Sequence, residues 1–389
     1  MKKVISLFII LIPLCCLFSQ TIKGTVVTDS GTRIANAQIY IDGTKTGTFS
    51  GEDGSFTLNV PGNIAGNVVF RKDNYETFTT PISKILNKTL KIVLLKSSDI
   101  EEVRIVPYTE EAYRNYINYF LSNFIGYDKE NVRIKNQRSL KFSYDSKNKI
   151  LKVKAPKTLI IENKNLGYEI HYNLVNFSTD FNTQITNCLG TSLFIETKNN
   201  NKTKVNRINA YYGSLLHFFR SIYNNTVTAD NFIVNHVIKV PNPKYPSQEE
   251  LKILNDYMGT LKNTKVINIP DHISDIAKRN RSEKPYALAI TKTLIPDSAY
   301  ITRNGGEVRL TFSDILQVNY KKYTYDVKAG KLIQAKTPVV LSSFLHPEGE
   351  TFEISKDGNF TNPGLLITEG DFSKNRIENM LPLDYQPGD

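Results

Sequence analysis

Short stretches near the N-terminus alternate apolar and polar residues with a period of two. Ile22, Gly24 and Val26 share one face against Lys23, Thr25 and Val27, and Ala37, Ile39 and Ile41 repeat the rhythm. That rhythm belongs to half-buried strands. Asp29-Ser30-Gly31, Asp42-Gly43 and Asp53-Gly54 interrupt it, each offering Gly for a positive-φ turn and Asp for side-chain bonds to nearby amides. Phe56-Leu58-Val60, Val68-Phe70 and Leu90-Ile92-Leu94 supply further inward-facing sets. The spacing predicts an all-β sandwich of about seven short strands, occupying residues 21–97.

Residues 98–108 turn polar and then extended, with Pro107 near the end, and read as a linker. A second domain, 109–389, follows. Thr109 is placed to cap a helix whose first turn holds Glu110 and Glu111, and Tyr113, Ile117, Phe120, Leu121 and Phe124 recur at helical spacing. Leu140-Phe142-Tyr144 and Leu151-Val153-Ala155 form a hairpin across Asp145 to Asn148, with Leu159 to Ile161 and Tyr168-Ile170-Tyr172-Leu174 as neighbouring strands. Ala210 to Tyr223 reads as one continuous amphipathic helix with Leu215, Phe218, Phe219 and Ile222 on its apolar side. Ser247 and Glu250 make a capping box for a helix running to Leu261, and Asp271 to Asn280 adds a short basic one. Strand signals then return at Ala287-Ala289-Thr291, Val308-Leu310-Phe312, Val318-Tyr320, Tyr323-Tyr325-Val327 and Val339-Leu341, with a turn over 328–330 and a last helix over Ser373 to Met380. The region is α+β with a mostly antiparallel sheet, either open or wrapped into a partly closed barrel.

Composition changes this picture in two ways. Lys2 and Lys3 precede an apolar run from Val4 to Phe18, too short and one-sided to span a membrane, so residues 1–20 read as a signal peptide. Cleavage near Ser19-Gln20 removes Cys15 and Cys16, and Pro13-Leu14 is not the small-residue pair that lipidation of either would need. Cys188 alone then remains, so no internal disulfide is expected. The formal charge is +11, of which Lys2 and Lys3 supply two, leaving +9 after cleavage. An exported chain argues against nucleic acid and leaves anionic lipid or acidic glycans as partners for that charge. The basic groups Lys147, Lys149, Lys152, Lys154 and Lys157; Lys198, Lys202, Lys204 and Arg207; and Lys278, Arg279, Arg281 and Lys284 are interleaved with polar residues and read as solvated faces.

The order Ile22-x-Gly24-x-Val26, Gly31, Ala35-x-Ala37, Ile39-x-Ile41-x-Gly43-Thr44, Gly47-Thr48 and Glu52-Asp53-Gly54-x-Phe56 resembles the carboxypeptidase regulatory-like domain. That resemblance implies a transthyretin-like sandwich, of the kind appended to carboxypeptidases, surface proteins and TonB-dependent receptors of Bacteroidetes-type bacteria. Gly51 and the stretch Phe70 to Tyr75 depart from the family's commoner residues without touching the core alternation, and Ile100 to Ile105 resembles the exit that follows such domains in the receptors. Asn165-Leu166-Gly167-Tyr168, the helix from Ala210, and Asn379 to Tyr385 are similar to a secreted Bacteroidetes family carrying the same N-terminal domain. That second likeness implies architecture and compartment only. The receptors continue into a barrel of about twenty-two long strands, which this length does not accommodate, so a soluble or peripherally attached protein is expected.

No motif carries chemistry. None of His171, His217, His236, His272 and His346 has the Glu or His spacing of a zinc carboxypeptidase, and His346 with Glu348 and Glu350 sits in a loop broken by Pro347 and Gly349. Gly190-Thr191-Ser192 lacks the closing glycine of a nucleophile elbow, and nucleotide-binding fingerprints are missing. No catalytic residue, metal or cofactor is implied. His171 reads as an exposed strand residue. A candidate binding set, Tyr168, Tyr212, His217 and Arg220, offers stacking and charge for a sugar or anion, against a structural reading in which the aromatics are core.

These features point to a non-enzymatic exported binding or scaffold protein of the cell envelope, with the sandwich as docking module and an envelope protein or glycan as partner. The alternatives are a hydrolase or carbohydrate-processing enzyme with two dispersed carboxyl groups in a deep pocket of residues 109–389, and a glycan or lipid carrier with an apolar cavity.

Overall fold

The alternating N-terminal residues fold as seven strands: β1 (Gln20–Val27), β2 (Gln38–Ile41), β3 (Gly47–Phe49), β4 (Ser55–Val60), β5 (Asn67–Arg71), β6 (Phe78–Pro81) and, after a single helical turn α1 (Ile82–Ile85), β7 (Thr89–Val93). They come from a computed structural model that describes residues 20–388 except 63, 65, 98–105, 262–268, 329, 330 and 375. The expected leader, most of the linker with its Ile100 to Ile105 exit, and the tip of the turn at 328–330 lie outside the described residues. Two sheets, ordered β4-β1-β7 and β3-β2-β5-β6, face each other. Ile22, Val26, Ile39, Ile41, Leu58, Val68 and Phe70 fill the space between them. Gly24 is forced by this packing, because a Cβ there would lie 2.2 Å from the Leu90 carbonyl oxygen on the parallel neighbour β7.

Among the described residues the remainder carries two large cores and a small cluster of Leu254, Ile273 and Ile276. The first is built by α2 (Glu110–Phe124), β8 (Val132–Ile134), β9 (Lys141–Asp145), β10 (Ile150–Lys154), β11 (Leu159–Asn163), β12 (Tyr168–Asp180) and β13 (Ile185–Glu196). Thr109 caps α2 by accepting the Ala112 N–H, and Phe120 and Phe124 on that helix pack against Phe142, Tyr172 and Phe177 of the sheet. The long strand β12 pairs with β11 and then β10 along one edge, and with β13 along the other.

Two helices lead to the second core: α3 (Asn201–Tyr211) and α4 (Leu215–Asn224). The single helix expected over Ala210 to Tyr223 is therefore broken. Gly213 adopts φ +78°, and Ser214 caps α4 by accepting the His217 N–H. An apolar periodicity cannot register that interruption, since both halves present aromatics to the same interior. Then follow β14 (Phe232–Pro241), α5 (Gln248–Thr260), α6 (Asp271–Ser282), β15 (Tyr286–Lys292), β16 (Ile301–Asn304), β17 (Glu307–Thr311), β18 (Ile315–Lys322), β19 (Tyr325–Lys328), β20 (Lys331–Gln334), β21 (Val339–His346), β22 (Thr351–Ile354), β23 (Ile367–Gly370) and α7 (Asp371–Lys374). A five-stranded antiparallel sheet, β15-β14-β18-β21-β23, packs one face on Phe218, Phe219 and Ile222 of α4 and on the small sheet β16-β17-β22. The last helix expected over Ser373 to Met380 is instead α7 plus a 3-10 turn over Ile377–Asn379, which lets Ile377, Leu381 and Tyr385 fold back into the first core. Among the described residues no helix is long and apolar enough to cross a membrane.

The sandwich is seated on the first of these cores. Ile39, Val68 and Phe70 point inward, so Tyr40 and Val69 point outward, and there they pack with Leu193 of β13. Arg71 donates to Thr158, the Tyr40 hydroxyl meets Thr191 at 2.8 Å, and the Gln38 amide donates to Nδ1 of His171. His171 is thus half-buried at this junction rather than exposed, its Nε2 donating to Glu169 at 3.0 Å. The loop 42–45 completes the joint in main chain: Gly43 N–H donates to Ser192, Phe194 N–H to Thr44, and Leu383 N–H to Gly43.

Candidate binding site

The four residues proposed from sequence do not line a common surface. Tyr168 is fully buried beneath the Arg207 guanidinium, 4.2 Å from its ring centroid. Arg207, counted above among solvated basic residues, is itself buried and donates to the carbonyls of Leu166 and Lys198 and to Glu196. His217 is packed among Tyr211, Tyr212, Phe232 and Tyr320, accepts the Gly213 N–H at Nδ1, and is pushed down to about 4 by burial. Tyr212 contacts both cores. Arg220 donates to the carbonyls of Asp357, Leu383 and Tyr385, tying the second core to the C-terminal segment. Tyr211, Tyr212 and His217 therefore form one internal cluster with Arg220 at its edge, while Tyr168 lies apart.

The second face of the five-stranded sheet sets a line of polar side chains among apolar ones such as Val237, Ile315 and Phe344. Asn235 on β14 donates to Gln317 on β18, which donates to Ser342 on β21, a ladder of side chains crossing the three central strands. At one end of this face Lys239 bonds Glu348 at 2.9 Å, Lys284 reaches Glu369 at 3.3 Å, and both ammonium groups lie within 6 Å of the Tyr286 ring. In a flat sheet the edge strands β15 and β23 would stand about 19 Å apart, four spacings of about 4.8 Å. Lys284, two residues ahead of β15, nonetheless touches Glu369 on β23. The sheet is open in its pairing but curls towards closure at this end.

His346 sits beneath that closure, 3% exposed, its Nε2 making no hydrogen bond and standing 3.7 Å from Glu369. Burial pushes its pKa down, so the imidazole is neutral at neutral pH. Lys239 holds Glu348 below the usual carboxylate range and is itself held above its own. The sequence singled out His346 with Glu348 and Glu350, but the acid that approaches it is Glu369, and Glu348 turns to Lys239. The pairing of Glu369, Lys284 and Tyr286 arises only when distant strands assemble. One signal was available: Gln317 and Asn319 alternate with Leu316, Val318 and Tyr320, which marks one face of β18 as polar.

A separate open cleft of about 700 Å³ lies between α3 and the β19-β20 ribbon, lined by Asn200, Asn201, Lys202, Asn206, Tyr325 and Asp326 among others. Asn209 holds the ribbon there, donating to the Tyr325 carbonyl and accepting its N–H as a neighbouring strand would. Among the described residues no three His, Cys, Asp or Glu side chains converge as a metal site.

Residues 22–106 match the CarboxypepD_reg-like domain family. The N-terminal module is a carboxypeptidase regulatory-like domain. The match covers this regulatory-like domain and its exit, leaving the two cores beyond it unassigned, and no curated protein matches the chain. A solved structure from Bacteroides fragilis NCTC 9343, of unknown function and described only provisionally as membrane-associated, aligns over 85% of this chain and 95% of its own. Identity is 10% and the TM-score 0.16, so that likeness carries no argument.

Proposed function

We propose that this is an exported, non-enzymatic binding or scaffold protein of the bacterial cell envelope, with the regulatory-like domain as its docking module. The observation that carries the reading is the state of the acidic and basic groups on the polar sheet face. Glu348 is spent on Lys239, which holds it below the usual carboxylate range and so away from a proton donor's role, and Glu369 is paired with Lys284. A glycosidase needs one carboxyl kept protonated near neutral pH beside a second. Among the described residues a carboxyl raised in that direction is Asp42, to about 6, and it lies in the domain junction with its oxygen occupied by the Ser192 N–H. The amides and tyrosines of the cleft and of the polar face suit hydroxyl-rich or peptide ligands instead.

The test is binding of the purified protein to fractionated envelope and to a glycan panel, with hydrolysis of the same materials followed in parallel. Saturable capture without turnover, weakened at least fivefold by Tyr286→Ala or Asn206→Ala, is expected. Turnover abolished by Glu369→Gln or His346→Ala would replace this reading with a hydrolase.

A further inference from the structure

Strands β18 and β21 run on together beyond the sheet they help to build. Lys322 opposite Val339 is their last pair, the Ala335 N–H then donates to Thr324, and β19 and β20 continue as a two-stranded ribbon. On its β19 side the ribbon is backed by the body, through α3 and Asn209. Every residue of β20 is exposed, so Leu332 and Ile333, which point to opposite faces, are both in water. Tyr323, Val339 and Val340 at the root are exposed as well, the five ranging from 37% for Tyr323 to 63% for Val340. Large apolar side chains clustered on a projecting element mark an interaction surface.

The charge of the same ribbon identifies the partner. Lys321, Lys328, Lys331 and Lys336 are exposed on it against a single acid, Asp326. Lys328 and Lys331 are cross-strand partners and share a face with Ile333. Apolar side chains flanked by long cationic ones are what a surface of acyl chains and anionic headgroups accepts, the lysine stems lying along the apolar layer while the ammonium groups reach phosphate. A second copy of the chain would bring the same lysines against these, a like-charge contact that opposes pairing.

We propose that this ribbon is a membrane-contact element seated on an anionic phospholipid surface, with Leu332, Ile333, Val339 and Val340 entering the interface and Lys328, Lys331 and Lys336 meeting headgroup phosphates. The inference rests on the envelope location of the function proposed above and names a surface which that function leaves open.

Co-sedimentation of the full chain with phosphatidylcholine vesicles, with and without phosphatidylglycerol, tests it. All variants carry the same N-terminus, so the leader contributes equally. Each lysine near an anionic surface strengthens binding by about fivefold. Binding should therefore favour the phosphatidylglycerol vesicles, weaken in salt, fall at least tenfold in K328Q/K331Q/K336Q and disappear in L332D/I333D. All five altered residues are exposed, so the melting temperature should stay unchanged and serves as the folding control. Equal binding by wild type and variants, no preference for the anionic lipid, or a dimer that L332D/I333D converts to monomer would each overturn the proposal. Capture of an envelope ligand without ribbon-dependent vesicle binding overturns the ribbon's role and leaves the binding function standing. Ribbon-dependent vesicle binding without such capture supports the ribbon and overturns that function.

Discussion

Asp42 is where single-residue chemistry bears most on this molecule. It lies in the loop that the sandwich pushes into the body, and its burial raises the carboxyl to about 6 against opposing bonds from the backbone N–H groups of Ser192 and Gly43. Tyr40 and Arg71 face the same junction from the sandwich, and Asp384 from the C-terminal segment accepts the neighbouring Lys45 N–H. A carboxyl whose folded pKa exceeds its unfolded one favours the fold fully below the unfolded value, and that favour is lost as pH rises through the folded value. Here the window runs from about 4 to about 6. Asp42→Asn keeps an oxygen for Ser192 and removes the charge. It should raise stability by about 1–2 kcal/mol at pH 7.5, and the gain should vanish below about pH 4, as read from denaturation midpoints across pH. His217 has the opposite sign, its buried neutral ring favouring the fold above the ordinary histidine range and losing that favour as pH falls towards 4.

Among the elements, the break between α3 and α4 sets the most geometry. It turns α4 so that Phe218, Phe219 and Ile222 meet the second sheet while Arg220 faces the C-terminal segment. Gly213 allows it, with φ +78° and with only 2.6 Å between a built Cβ and the Tyr320 ring. Gly213→Ala should cost about 2 kcal/mol or more through strain and overlap together, measured by chemical denaturation. This break also marks the limit of what the sequence reveals. Period-two alternation and Asp-Gly turns made five of the sandwich's strands legible, because each signal is local, while the short edge strands β3 and β6 carried none. The α2 helix and the β9-β10 hairpin were legible for the same reason. The Ala210 to Tyr223 stretch was not, since a buried aromatic run looks alike whether its helix continues or turns. Arg207 and Arg220 misled in a related way: an arginine that satisfies itself on backbone carbonyls inside a core carries no mark of it in composition. Tyr286, Lys239 and Glu369 had no local signal at all, because their meeting depends on sheet curl.

For the whole molecule, the junction makes the sandwich and the first core one structural unit. Its apolar centre is Tyr40, Val69 and Leu193, and its rim is main-chain and side-chain bonds in place of a flexible contact. One face of the sandwich's four-stranded sheet is therefore committed within the chain, leaving the opposite sheet β4-β1-β7 and the outer strand edges for any docking partner. Calorimetry should show the sandwich and the β12-β13 core melting in one transition. A separate early transition assignable to residues 20–97 would show the junction to be weaker than its bonding suggests.

The bond from Lys45 to Asp384 joins positions 339 apart in sequence, and Leu383 to Gly43 closes nearly the same span. During synthesis the sandwich emerges early and Ser192 and Phe194 of β13 can engage its loop mid-way, yet the last bonds to that loop come from residues that follow every named strand and helix. Contacts so remote in sequence form slowly, since the intervening chain must be brought together first. The joint can thus assemble in two steps, first on Ser192 and Phe194 of β13 and last on residues 383 and 384, and only the second step completes it.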